Sequence, residues 1–105
     1  MRNLIVGIVF ALITVSAHSA SVVEVCSSIS SAAETTMRAR QAGVPMERMM
    51  DGVEEELMVQ MVLAAYEQPR YPEHQRELVS EIFRDEWYLS CFQASRRASA
   101  KSSTE

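Results

Sequence analysis

The chain has 105 residues, with 10 Lys and Arg against 14 Asp and Glu, a formal charge of −4, and 48% hydrophobic residues. An acidic balance of this kind lacks the basic face that nucleic-acid binding usually needs, and it does not favour adsorption to anionic lipid. The length allows one small domain with a thin core, of the size that often needs a covalent staple.

Met1-Arg2-Asn3 is followed by an apolar run from Leu4 to Val15 and by small residues through Ala20. One positive charge, a short apolar stretch and a small-residue exit have the pattern of a secretory signal peptide over residues 1–20. The run falls short of the roughly 20 residues of a membrane-spanning helix, so an uncleaved anchor is the lesser alternative. Cleavage after Ala17, Ser19 or Ala20 fits, with a mature start between His18 and Ser21 favoured. The charge at Glu24, just before Cys26, does not suit a lipid-attachment site. The expected address is periplasmic or secreted, with no stable membrane insertion once the signal is removed.

The mature chain keeps two cysteines, Cys26 and Cys91. In an oxidising compartment an even count supports pairing, and two allow a single intramolecular connectivity. Free or intermolecular thiols are the alternative, and no CxxC redox motif occurs.

Residues 21–94 read as a helical, disulfide-stapled domain. Val22, Cys26, Ile29, Ala33 and Met37 step by three or four, one stripe of a helix expected over Ser21–Ala42, with Gly43 past its end and Pro45 barring its continuation. Pro45 then opens a short helix with an apolar edge of Met46, Met49 and Met50, stopped by Asp51-Gly52. A third helix is expected over Val53–Gln68, with Glu54, Glu55 and Glu56 in its first turn, where the helix dipole favours them. Its wide apolar face (Leu57, Met58, Met61, Val62, Ala64, Ala65) predicts the most buried helix of the domain.

Gln68-Pro69-Arg70-Tyr71-Pro72 is a turn, since each proline disfavours helix in the residue before it. The last helix starts near Pro72 or Glu73 and reaches about Gln93, with Val79, Phe83, Trp87 and Cys91 stepping by four. Residues 95–105 read as a disordered polar tail. The expected architecture is all-α: a small bundle of three long helices and one short helix, closed by one disulfide.

Catalytic constellations are scarce. His74 is the one histidine of the mature chain, and no P-loop, GxGxxG or HExxH occurs, so a non-enzymatic protein without a cofactor is expected. Met46-x-x-Met49 and Met58-x-x-Met61 are spaced to share a helix face, and thioethers suit Cu(I). Core packing is the ordinary reading of the same residues, since they coincide with the apolar stripe. Glu86 sits among apolar neighbours on the helical wheel; it pairs with Arg38 or Arg40 of the first helix or bends out to water, and a structural ion pair is favoured over a ligand-binding carboxylate. Pro69, Arg70, Tyr71 and Pro72 form a rigid turn carrying an aromatic and an arginine, both favoured at binding hot spots. With the exposed edge of the last helix, this turn is the expected partner-binding surface, for another envelope protein or a second copy of the chain.

The spacing from Cys26 through Arg40-Gln41-Ala42-Gly43 and Ala65-Tyr66-Glu67-Gln68-Pro69 to Phe83-x3-Trp87-x3-Cys91 resembles a class of short exported proteins of Gram-negative bacteria, with a signal, two cysteines and helices between them. That resemblance implies a helical fold and a periplasmic address rather than an activity. A looser architectural likeness is to the acid-stress chaperones of the periplasm (the HdeA type), which are similarly small, helical and single-disulfide. It implies an alternative function, in which Met-rich apolar surface is exposed when the fold loosens in acid.

Overall fold

The structure, a computed structural model, describes residues 21–104. The segment 1–20, read above as the export signal, lies outside the described residues, as does Glu105. Four helices follow in order: α1 (Val22–Gln41), α2 (Met46–Met50), α3 (Glu56–Glu67) and α4 (Glu73–Thr104). No strand occurs among the described residues. The all-α bundle expected from the sequence is the observed fold, and Cys26 is bonded to Cys91.

Helix α1 has a defined start and stop. The Ser21 hydroxyl accepts a hydrogen bond from the Glu24 N–H at 3.1 Å, satisfying one of the free donors of the first turn. At the other end Gly43 takes φ 89°, a left-handed conformation that favours glycine. Its N–H donates to Arg40 O, and the Val44 N–H donates to Ala39 O, the paired bonds of a Schellman stop.

The chain returns through α2 and the Asp51-Gly52 turn, so that α3 runs parallel to α1 and α4 antiparallel to both. Cys26–Cys91, Glu34–Arg84 and Arg38–Glu77 mark successive levels of the α1–α4 pair. The core lies where α3 meets this pair: Ala33 and Met37 from α1, Met61 and Ala65 from α3, and Phe83 from α4.

Three expectations are corrected. Helix α3 begins at Glu56 rather than Val53, because the Val53 N–H is used to close the preceding turn onto Met50 O, and the ladder starts only with Val59 N–H to Glu55 O. The most buried helix is α1, not α3: Leu57 is exposed, and only Met61, Val62 and Ala65 of α3 are buried. Lying against both other long helices, α1 buries Cys26, Ser30, Ala33, Thr36, Met37 and Gln41. Its small residues permit that close approach, and the hydroxyls of Ser30 and Thr36 are satisfied by carbonyls one turn back. Third, α4 does not end near Gln93 but continues to Thr104. Residues 95–104 contain neither Gly nor Pro, and Ala, Arg and Lys are good helix formers.

An exposed ion-pair clasp ties α1 to α4. Arg38 donates to both carboxylate oxygens of Glu77 at 2.6 Å and to Glu34 at 3.1 Å, while Arg84 reaches Glu34 at 3.4 Å. The hydrogen bonds from Arg38 hold the Glu77 carboxyl below its ordinary value. A carboxyl depressed in the folded state contributes stability above its unfolded value of about 4.3, and that contribution is lost as pH falls through the folded value. Urea midpoints of the wild type and Glu77→Gln are therefore expected to differ slightly at about pH 6 and to converge towards about pH 3. A gap that widens in acid would contradict the assignment.

Candidate functional site

The turn between α3 and α4 is held by its backbone. Gln41, buried and at the last turn of α1, donates from Nε2 to Pro69 O at 2.9 Å and accepts the Tyr71 N–H on Oε1 at 2.7 Å. Arg40 Nε donates to Gln68 O at 2.9 Å, and Arg76 Nε donates to Tyr71 O at 2.8 Å. Of the four expected contact residues, Pro69 and Pro72 are exposed and Tyr71 is half-buried. Arg70 is exposed but engaged: its Nε donates to Gln41 O at 3.2 Å, and its guanidinium lies over Gly43, 3.2 Å from where a Cβ would stand. Arg70 thus helps to close the end of α1.

Beside this turn a hollow of about 240 Å³ opens between the turn, α1 and α4. Gln68 and Tyr71 line one side, Met37 the floor, and Val79, Ile82 and Glu86 of α4 the other side. The turn and the edge of the last helix, taken from the sequence as one contact surface, do meet here. That edge is apolar and exposed: Leu78 is 59%, Ile82 48% and Leu89 57% accessible. A second, strongly apolar hollow of about 400 Å³ lies towards the disulfide, lined by Val25, Ile29, Leu57, Trp87, Cys91 and Ala94, with Ser90 and Ser95. The rings of Phe83, which lines the first hollow, and Trp87, which lines the second, are 5.9 Å apart.

Glu86 makes neither expected ion pair. It stays exposed at the rim of the first hollow, because Arg38 is taken by Glu34 and Glu77, and Arg40 packs 5.2 Å over the Tyr66 ring. The Tyr66 hydroxyl donates to Val44 O at 2.6 Å, and burial pushes the phenol above its ordinary value, with Arg40 acting in the opposite direction.

The methionines divide between core and edge. Met61 is fully buried in the core, whereas Met46, Met49 and Met58 are half-buried on α2 and α3. Met37 accepts a weak hydrogen bond from Gln41 Nε2 on its sulfur, at 3.4 Å. Among the described residues no three His, Cys, Asp or Glu side chains are grouped to hold a metal, and no helix is long and apolar enough to cross a membrane. His74 is exposed in the first turn of α4.

Gln41 is the residue that sequence reasoning missed. Its signal was present, since the α1 stripe continues by fours from Ala33 and Met37 onto this position. A polar side chain on a buried stripe needs partners, and the turn supplies them.

Fold and surface together define a disulfide-closed pair of antiparallel helices that carries a third helix and leaves an apolar seam open. No family model, curated protein or solved structure matches this chain.

Proposed function

We propose that this chain is a small, non-enzymatic binding or accessory module, exported to the periplasm, that contacts another envelope protein. The observation that carries this reading is the exposed apolar edge Leu78, Ile82 and Leu89 beside a turn pinned by Gln41, Arg40 and Arg76. Large apolar side chains left in water along one helix are characteristic of interaction surfaces, and a pre-organised neighbour lowers the ordering cost of binding. The leader-like segment 1–20 and the Cys26–Cys91 bond both fit an oxidising compartment outside the cytoplasm.

The test is crosslinking capture by the tagged, oxidised mature protein in the periplasm, with Tyr71→Ala and Ile82→Ser as comparisons. Arg70→Ala is unsuitable, because it also removes the bond to Gln41 O. The expected result is one specific envelope protein, recovered by the wild type and lost in a comparison variant. A spread of unrelated proteins, or none, would count against the proposal.

An acid-stress chaperone is the second reading, favoured by the carboxylate-dependent clasp between α1 and α4. It requires loosening at about pH 2–3 together with client protection, and a fold that stays rigid there would exclude it.

A further inference from the structure

We propose that the outer face of α4 is a self-complementary stripe on which a second copy of this chain packs antiparallel, a step beyond the binding-module reading. Phe83, Trp87 and Cys91 lie on the side of α4 turned to α1 and the core. On the far side Leu78, Ile82, Asp85, Leu89, Phe92 and Arg96 succeed one another at intervals of four and three. That spacing is the 3.5-residue repeat along which two long helices wind together, and α4, with 32 residues, is long enough to offer it. Helix α3 packs on α1, so nothing covers this face within the chain: Leu78, Ile82 and Leu89 are exposed, and Phe92 is half-buried beside Tyr88.

The stripe matches itself under a two-fold axis. About a midpoint between Ser90 and Cys91, Leu89 falls opposite Phe92 of the second copy and Asp85 opposite its Arg96, and the symmetry makes each pair twice. Ile82 meets the small Ser99, and Glu86, on the flank, meets Gln93. Both charges are accessible. Asp85 is exposed, with one carboxylate oxygen accepting from Arg84 Nε at 3.2 Å, and Arg96 is exposed and takes part in no ion pair among the described residues. Charge selects this arrangement over its rivals. Parallel helices in register would set Asp85 against Asp85, Arg96 against Arg96 and Glu81 beside Glu86. An antiparallel pair shifted by one heptad towards the turn would set Glu86 against Glu86 and Asp85 against Leu89. Leu78 and the turn at residues 69–72 lie outside the central layers, so the dimer keeps the turn open in both copies.

The test is sedimentation velocity of the mature, oxidised chain from about 10 μM to about 1 mM. The expected result is a reversible monomer–dimer equilibrium with no larger species, because a two-fold contact closes on itself. Leu89→Ser should weaken the dimer at least about tenfold, and Asp85→Arg and Arg96→Asp about tenfold each, while the chain carrying both charge changes recovers to within about threefold of the wild type. All three substituted side chains are exposed, and circular dichroism verifies that the variants fold. A monomer at every concentration, a dimer indifferent to Leu89→Ser, species that keep growing with concentration, or a charge-swapped chain no better than the single variants would each overturn the proposal. In the capture experiment, a monomeric chain that loses its envelope protein on Leu89→Ser gives the stripe to that protein and sinks the dimer. A dimer with no envelope protein captured sinks the binding module and leaves the self-association standing.

Discussion

Replacing Cys26 and Cys91 together with serine is expected to lower the stability of the domain by about 4 kcal/mol, close to a loss of foldedness at physiological temperature. The bond joins residues 65 apart in sequence, so its removal frees a long loop in the unfolded chain. A small domain of this kind has a total stability of roughly 0.05–0.15 kcal/mol per residue. The staple is thus comparable to everything else that holds the fold. Its position reinforces the effect. The α1–α4 pair is closed at one end by the 69–72 turn and the Arg38–Glu77 clasp, and at the other by the disulfide. The N-terminal half of α1 is rich in serine and has low helix propensity, so it depends on being held against α4. Thermal unfolding followed by circular dichroism, with and without reductant, should show a fall of about 20 °C in Tm. Hydrogen exchange should report the first half of α1 opening before the Gln41 end. A shift of only a few degrees would mean that packing, and not the covalent tie, carries the α1–α4 pair.

How much of this was legible in sequence depended on the range of the interaction. Gly43, Pro45, Gly52 and the two prolines at 69 and 72 punctuate the chain locally, and the helix ends they imply for α1 and α2 agree with the structure to within a residue. The spacing of Val79, Phe83, Trp87 and Cys91 put the cysteine on the aromatic edge of its helix, and its pairing with Cys26 turns that edge towards α1. Periodicity could not say which helix would lie between the other two. That follows from packing, and the small residues Ser30, Ala33 and Ser80 decide it by letting α1 and α4 approach. The end of α4 was misread because a polar composition was taken for disorder, although nothing between Ser95 and Thr104 interrupts a helix. At the candidate site, the turn and the edge of α4 were visible, while their meeting around one hollow depends on how Gln41 pins the turn against α1. Arg70 shows the same limit: its residue type suggested a contact, and only the geometry reveals that its guanidinium is occupied by the end of α1.

Gln41→Leu should cost about 3 kcal/mol, a fall of about 15 °C in Tm, although the replacement is apolar and similar in size. The glutamine is 2% exposed and answers both a carbonyl, Pro69 O, and an N–H, that of Tyr71. Leucine leaves both backbone groups without this partner, at about 1–3 kcal/mol for each buried group left unsatisfied. Gln41→Glu separates the donor from the acceptor role. At neutral pH the new carboxylate still accepts the Tyr71 N–H but confronts Pro69 O with a second acceptor, and it carries charge into a buried site. Burial raises the folded-state pKa of such a group, so its stabilising contribution is present below the unfolded value of about 4.3 and lost as pH rises through the folded one. The gap between this variant and the wild type should accordingly narrow as pH falls, when the protonated carboxyl can donate to Pro69 O. For Gln41→Leu the gap should stay constant over the same range. Both variants release the turn that carries Tyr71, which lines the hollow beside it while Gln41 does not. Equal pH dependence of the two variants would show that the hydrogen bonds from Gln41 do not set the turn, and that its role is to fill space at the end of α1.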